Sequence, residues 1–136
     1  MNPKIQAIYD ANVRRYKCDR GHPCVKFSFD ILREREPDKY NCIGEQIENL
    51  EWGQSSNQKK IQHRSLMFRK YISLFGFRSV ETPESYDLCF MGGKAEGQVY
   101  HCGLFIDGYI VHLAPTDNSL AVDKPENLII MLYARK

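Results

Sequence analysis

The spacing of apolar residues changes along the chain from a helical period to a strand period. Between Pro3 and Tyr16, Ile5, Ile8, Tyr9 and Val13 fall on one side of a short amphipathic helix. Lys17 to His22 reads as a polar loop containing Gly21. Pro23 to Arg35 is expected to form a second helix, because proline suits a first helical position where its missing N–H would be unpaired anyway. Val25, Phe29 and Leu32 form one stripe, widened by Phe27 and Ile31, so this helix should be largely buried, and Pro37 stops it. Cys42 to Leu50 is a candidate short helix. Asn57 to Phe75 reads as a long one, with Ile61, Leu66, Phe68, Tyr71, Ile72 and Phe75 on its apolar side and Gly76 as its stop.

After a polar stretch from Gly76 to Ser85, interrupted by Pro83, the pattern becomes strand-like. Strands are expected at Asp87 to Met91, Val99 to Ile106, Tyr109 to Ala114 and Leu128 to Tyr133. Asp107-Gly108 between two apolar runs is a hairpin signal, since a type I′ turn needs positive φ at both central residues. Helices first and an antiparallel sheet afterwards give an α+β fold.

The hairpin register has a chemical consequence. A two-residue turn pairs Ile106 with Tyr109, Phe105 with Ile110, Leu104 with Val111, and Gly103 with His112. Side chains alternate between faces, so His101, Gly103 and Phe105 share a face with His112. His101 and His112 become diagonal neighbours, roughly 7–8 Å apart at the backbone, and Gly103 leaves space between them. Cys102, Leu104, Ile106 and Val111 lie on the other face, suited to packing against helices.

Composition narrows the function. The 136 residues suit a single domain, 1–136, with 43% hydrophobic and 26% charged residues. No apolar run approaches the about 20 residues of a membrane span. The net charge of +2 is spread out, which predicts neither nucleic-acid nor membrane binding. Met1 to Tyr16 lacks the apolar core of a signal peptide, so the chain is expected to be cytoplasmic when made and to need a carrier to act elsewhere. The five cysteines, Cys18, Cys24, Cys42, Cys89 and Cys102, are odd in number, which argues for reduced thiols. Cys24 stands at an expected helix start, where free N–H groups and the helix dipole stabilise a thiolate. With a histidine pair on a nearby sheet it makes a Cys–His–polar constellation: nucleophile, base, and a group that orients the base.

Those residues resemble the NlpC-type cysteine peptidases, a papain-like superfamily that cleaves peptide bonds of peptidoglycan stems. Tyr86-Asp87-Leu88-Cys89-Phe90 looks like the family's Gly-Asp-Leu-Val-Phe-Phe strand, with tyrosine in place of glycine. His101-Cys102-Gly103-Leu104-Phe105-Ile106 looks like its His-Val-Gly-Ile-Tyr segment, and Val111-His112-Leu113-Ala114 like the strand that brings the third polar residue. Cys24 with its apolar helix, Arg33-Glu34, Pro37-Asp38-Lys39-Tyr40 and Gly76-Phe77-Arg78-Ser79-Val80 are similar to phage tail-assembly members. The resemblance spans about Tyr16 to Ala114. It implies a papain-like fold, Cys24 as nucleophile, His101 as base and His112 as orienting residue. It also implies a peptide or peptidoglycan substrate, possible association with phage tail proteins in a virion, and no cofactor. Around Cys24 the chain departs from the family's Asp-Cys-Ser-Gly: Pro23 precedes it and Val25-Lys26 follows. Asn41-Cys42-Ile43-Gly44 is a rival nucleophile, and Tyr16 is either an oxyanion hydroxyl or the last core residue of the first helix.

Two other classes of function remain open on the residues alone. Cys18, His22 and Cys24, completed by Cys42 or Cys89, would make a tetrahedral zinc set. A papain-like chain that has lost catalysis would serve as a structural or assembly protein. Gly92-Gly93-Lys94 is not a phosphate loop: no glycine lies five residues before Gly93, and Ala95 stands where Ser or Thr is needed. His63 reads as a solvated helix residue, and Trp52 as core or groove lining.

Overall fold

The computed structural model describes residues 2–17, 23–40, 72–92, 99–114 and 117–136. The expected helices at 42–50 and 57–71, together with Cys18, His22, Cys42, Trp52, His63 and Gly93-Lys94, lie outside the described residues. The described fold is α+β. Helices α1 (Pro3–Asn12) and α2 (Pro23–Arg35) are followed by strands β1 (Arg78–Val80), β2 (Asp87–Gly92), β3 (Val99–Ile106), β4 (Tyr109–Leu113), β5 (Leu120–Asp123) and β6 (Ile130–Arg135). The strands form one antiparallel sheet in the order β1-β6-β2-β3-β4-β5.

Helix α2 has the bounds its prolines and apolar stripe predict. It is buried along most of its length, from Cys24 and Val25 through Phe27, Phe29, Ile31 and Leu32. Its core continues into Leu88, Phe90, Cys102, Leu104, Ile106, Val111, Leu113 and Ala134 on one face of the sheet. The other face carries Cys89, Met91 and Ile110, with Phe105, Leu128, Ile130 and Tyr133 against them.

Several expectations need correction. The first helix ends at Asn12, not Tyr16. The Asn12 side chain donates to the carbonyl of Ile8, and the backbone then tightens, with Arg15 N–H donating to Asn12 O and Lys17 N–H to Arg14 O. Ile72–Phe75, the described end of the expected long helix, is a 3₁₀ turn stopped at Gly76, where φ is 85°. The last strand runs Ile130–Arg135 rather than 128–133, because a 3₁₀ turn at Pro125–Asn127 delays its start. β1 and β5, both short, were not expected. Arg135 at the end of β6 grips the buried carboxylate of Asp87 with Nε at 2.8 Å and Nη2 at 2.7 Å, joining β6 to the start of β2. Tyr86 occupies the position where the resemblance expects glycine, and its φ of 75° is in the left-handed region that favours glycine. The tyrosine is held there with the Arg35 guanidinium 3.9 Å from its ring centroid.

Candidate active site

The β3–β4 hairpin forms as the turn chemistry dictates. Asp107 and Gly108 have φ of 49° and 89°, and the register is Ile106↔Tyr109, Phe105↔Ile110 and Leu104↔Val111. The Asp107 carboxylate is held by Asn2 and Ser85, which anchors the turn to the chain's beginning and to the approach to β2. Gly103 lies against His112 so closely that a Cβ there would stand 2.7 Å from the Cβ of His112. This close approach lets the two imidazoles meet. His101 Nε2 and His112 Nδ1 are 2.8 Å apart, and the rings meet edge-on. Both residues are buried. Next to His101 the β2–β3 register shifts, from Met91↔His101 to Gly92↔Val99, leaving the backbone of residue 100 unopposed. Such a bulge turns a strand and re-aims the side chains beside it.

A third group completes the chain of contacts. Asp123, the last residue of β5, places Oδ2 2.7 Å from His112 Nε2. Reading the sequence alone missed it. The available signal was the Asp117-Asn118-Ser119 turn cluster followed by the short apolar run Leu120-Ala121-Val122 and then Asp123. In the structure Asn118 has φ of 58°, Asp117 accepts from the backbone N–H and hydroxyl of Ser119, and β5 pairs back onto β4 from Leu113↔Leu120 to Ile110↔Asp123.

Burial is the largest influence on His112 and pushes its imidazole below its ordinary value; the charge on His101 adds to this, and Asp123 opposes it. The folded imidazole therefore gains a proton at lower pH than the unfolded one, whose pKa is about 6.5. Below that pH the unfolded chain binds more protons, so stability falls as pH drops from about 6.5 toward the lowered folded value. The urea midpoint is expected to decrease between pH 7 and pH 5, and to do so less steeply in His112→Asn. An equal slope in the variant would count against a neutral buried His112.

Cys24 is the second residue of α2, buried to 3% exposure. The first turn of α2 holds no acidic residue to offset the positive end of the helix dipole. Ser28 joins this region to the sheet: its hydroxyl donates to the Cys24 carbonyl at 2.9 Å and lies 3.7 Å from the Cys102 sulphur. Hydrogen bonding to Cys24, followed by burial, holds the Cys102 thiol well above its ordinary value. The structure thus brings His101 and His112 together and seats Cys24 on Cys102, the strand neighbour of His101. Cys102 faces α2 and His101, by alternation, faces the other way, with the bulge beside them.

Tyr16 belongs to the core. It is buried, and its hydroxyl donates to Asp30 Oδ2 at 2.6 Å, while Arg33 holds Oδ1 of the same carboxylate at 2.6 Å. Burial and the bond to Asp30 push the phenol above its ordinary range. Tyr16→Phe is expected to cost about 1–2 kcal/mol in urea unfolding, the worth of a hydrogen bond to a charged group, and to leave the reactivity of Cys24 unchanged. Slower alkylation of Cys24 in that variant would return Tyr16 to the site.

Of the two residues that would complete the zinc set, Cys42 lies outside the described residues and Cys89 is placed apart from Cys24. Cys89 packs on the face of β2 away from Cys24, and burial pushes its thiol up to about 12. Among the described residues no group of three or more His, Cys, Asp or Glu is placed to hold a metal ion. Nor, among them, is any helix long and apolar enough to cross a membrane. No protein-family model matches the sequence, and no curated protein matches it.

Proposed function

We propose that the protein is a cysteine hydrolase with an NlpC-type papain-like fold, in which Cys24 is the nucleophile and His101 its base. The observation that carries this reading is the buried His101–His112 contact of 2.8 Å, on the strand whose next residue, Cys102, meets the thiol at the start of α2. His101 takes the proton of Cys24. The thiolate adds to an amide carbonyl, and the amine leaves with the proton returned by His101, forming a thioester. Water then adds to the thioester through the same base, releasing a carboxylic acid and restoring the thiol. Backbone N–H groups at a helix start are suited to an oxyanion, and Cys24 stands at the start of α2. His112 orients His101. His101 and Cys24 lie on opposite faces of β3, so this reading requires the imidazole to swing round the bulged end of the strand to reach the thiol. The substrate class that the resemblance suggests is the stem peptide of peptidoglycan, and a phage tail is the carrier that would bring the enzyme to it.

A second reading, an assembly protein of the same architecture without catalysis, is favoured by the near-complete burial of Cys24 against Cys102. Iodoacetamide titration from pH 4 to 9, with each cysteine mapped by mass spectrometry, separates the two. Fast labelling of Cys24, with an apparent pKa well below the free-thiol value of about 8.5 and lost in His101→Ala, supports the hydrolase. Labelling at Cys42 instead moves the nucleophile. Uniformly slow cysteines favour the assembly protein.

A further inference from the structure

His112 has both ring nitrogens engaged, Nδ1 with His101 Nε2 at 2.8 Å and Nε2 with Asp123 Oδ2 at 2.7 Å. The imidazole is 5% exposed and the Asp123 side chain 39%, so the carboxylate stands at the rim of the edge strand with the ring behind it. A neutral imidazole has one N–H and one bare nitrogen, so two in contact can order their protons in either of two directions. In the first, His112 donates from Nε2 and accepts at Nδ1 from the Nε2–H of His101, which leaves Nδ1 of His101 bare. In the second, His112 donates from Nδ1 to Nε2 of His101, and Nδ1 of His101 carries the hydrogen. Only the first leaves His101 a nitrogen outside the pair that can accept a proton. An ionised carboxylate can only accept, so the second direction would set a lone pair of His112 against a lone pair of Asp123 at 2.7 Å.

We propose that Asp123 is a positioning residue that imposes the first direction and so makes Nδ1 of His101 the basic nitrogen of the site. Its geometry stands alone, while its consequence for catalysis rests on the hydrolase reading. His101 and Asp123 are the titratable side chains that act on His112 among the described residues. The arrangement follows the general rule that the hydrogen bond at one imidazole nitrogen sets the state of the other.

The test is nitrogen-15 NMR of the histidine rings in the full chain, run beside pH-dependent iodoacetamide labelling, on the wild type and on Asp123→Ala, Asp123→Asn and Asp123→Glu. In the wild type at neutral pH, His112 and His101 are both expected to carry hydrogen on Nε2. In Asp123→Ala the ring nitrogens are expected to show a mixture of the two directions, with Cys24 labelling at pH 7 slower by about tenfold or more. Asp123→Glu restores both in part. Asp123→Asn, whose amide can turn either its oxygen or its NH2 toward the ring, is expected to show a mixture of the two directions as Asp123→Ala does. Wild-type His112 protonated on Nδ1 would overturn the proposal. So would an unchanged ring-nitrogen pattern in Asp123→Ala, whether or not labelling slows, because a slower rate alone would reflect structural damage. If wild-type Cys24 reacts no faster than a free thiol, the hydrolase reading fails, and the NMR pattern still decides the role of Asp123.

Discussion

If the protein is the proposed cysteine hydrolase, Cys24→Ser is expected to reduce release of fragments from peptidoglycan stem peptides by at least about 10³-fold, the scale seen when a nucleophile is removed from a catalytic set. Replacing sulphur by oxygen raises the pKa of the nucleophile far beyond what a histidine can offset, so the variant keeps the site's shape and loses its reactive anion. The fold should survive, because Cys24 is a small side chain at the first turn of α2, with Cys102 beside it to receive a hydroxyl. Mass spectrometry of the fragments and a urea titration check the two halves of this expectation. His101→Ala should give a loss of similar size, and the double variant should be little worse than either single one, since residues acting as a unit are not additive. Wild-type turnover in Cys24→Ser would move the nucleophile to another cysteine.

Gly103→Ala is expected to disturb both the β3–β4 pairing and the histidine contact. The new Cβ would lie 2.7 Å from the His112 Cβ and 2.7 Å from the Val111 carbonyl oxygen, and the latter belongs to backbone that has little freedom to yield. Strand β3 must part from β4, at a cost of about 1–3 kcal/mol for overpacking. The same displacement falls on the 2.8 Å contact between His101 and His112. A shift of about 1 Å in a catalytic group costs on the order of 10²-fold in rate, so Cys24 labelling should slow by that factor. Gly108→Ala is the control. It strains a residue at φ 89° with nothing within 4 Å, so it should cost about 1–2 kcal/mol and leave labelling intact. Equal labelling in Gly103→Ala and the wild type would mean that the histidine contact does not govern the thiol.

The parts of the fold legible in the sequence are those that neighbouring residues decide. Helix α2 has its expected bounds because Pro23 fits a first turn, Pro37 cannot extend one, and the apolar residues between them recur at helical spacing. The β3–β4 hairpin has its expected register because a two-residue turn with positive φ leaves no freedom of pairing, and this register alone puts His101 and His112 on one face. α1 ends short of Tyr16 because the side chain of Asn12 bonds back to the helix, which the periodicity of Ile5, Ile8, Tyr9 and Val13 does not report.

Tertiary structure alone decided which strands are neighbours and what surrounds the thiol. β6 inserts between β1 and β2, a pairing between segments far apart in sequence and held by Arg135 on Asp87. β5 has four residues, of which only Leu120 is buried, so its pattern is weak, and Asp123 gains meaning only when β5 pairs with β4 and carries the carboxylate to His112. The meeting of Cys24 with Cys102 depends on how α2 lies across the sheet. Periodicity and turn chemistry act through residues a few positions apart and can be read from the chain. The order of strands and the seat of a helix depend on burying all the apolar faces together, and no short stretch of sequence contains that information.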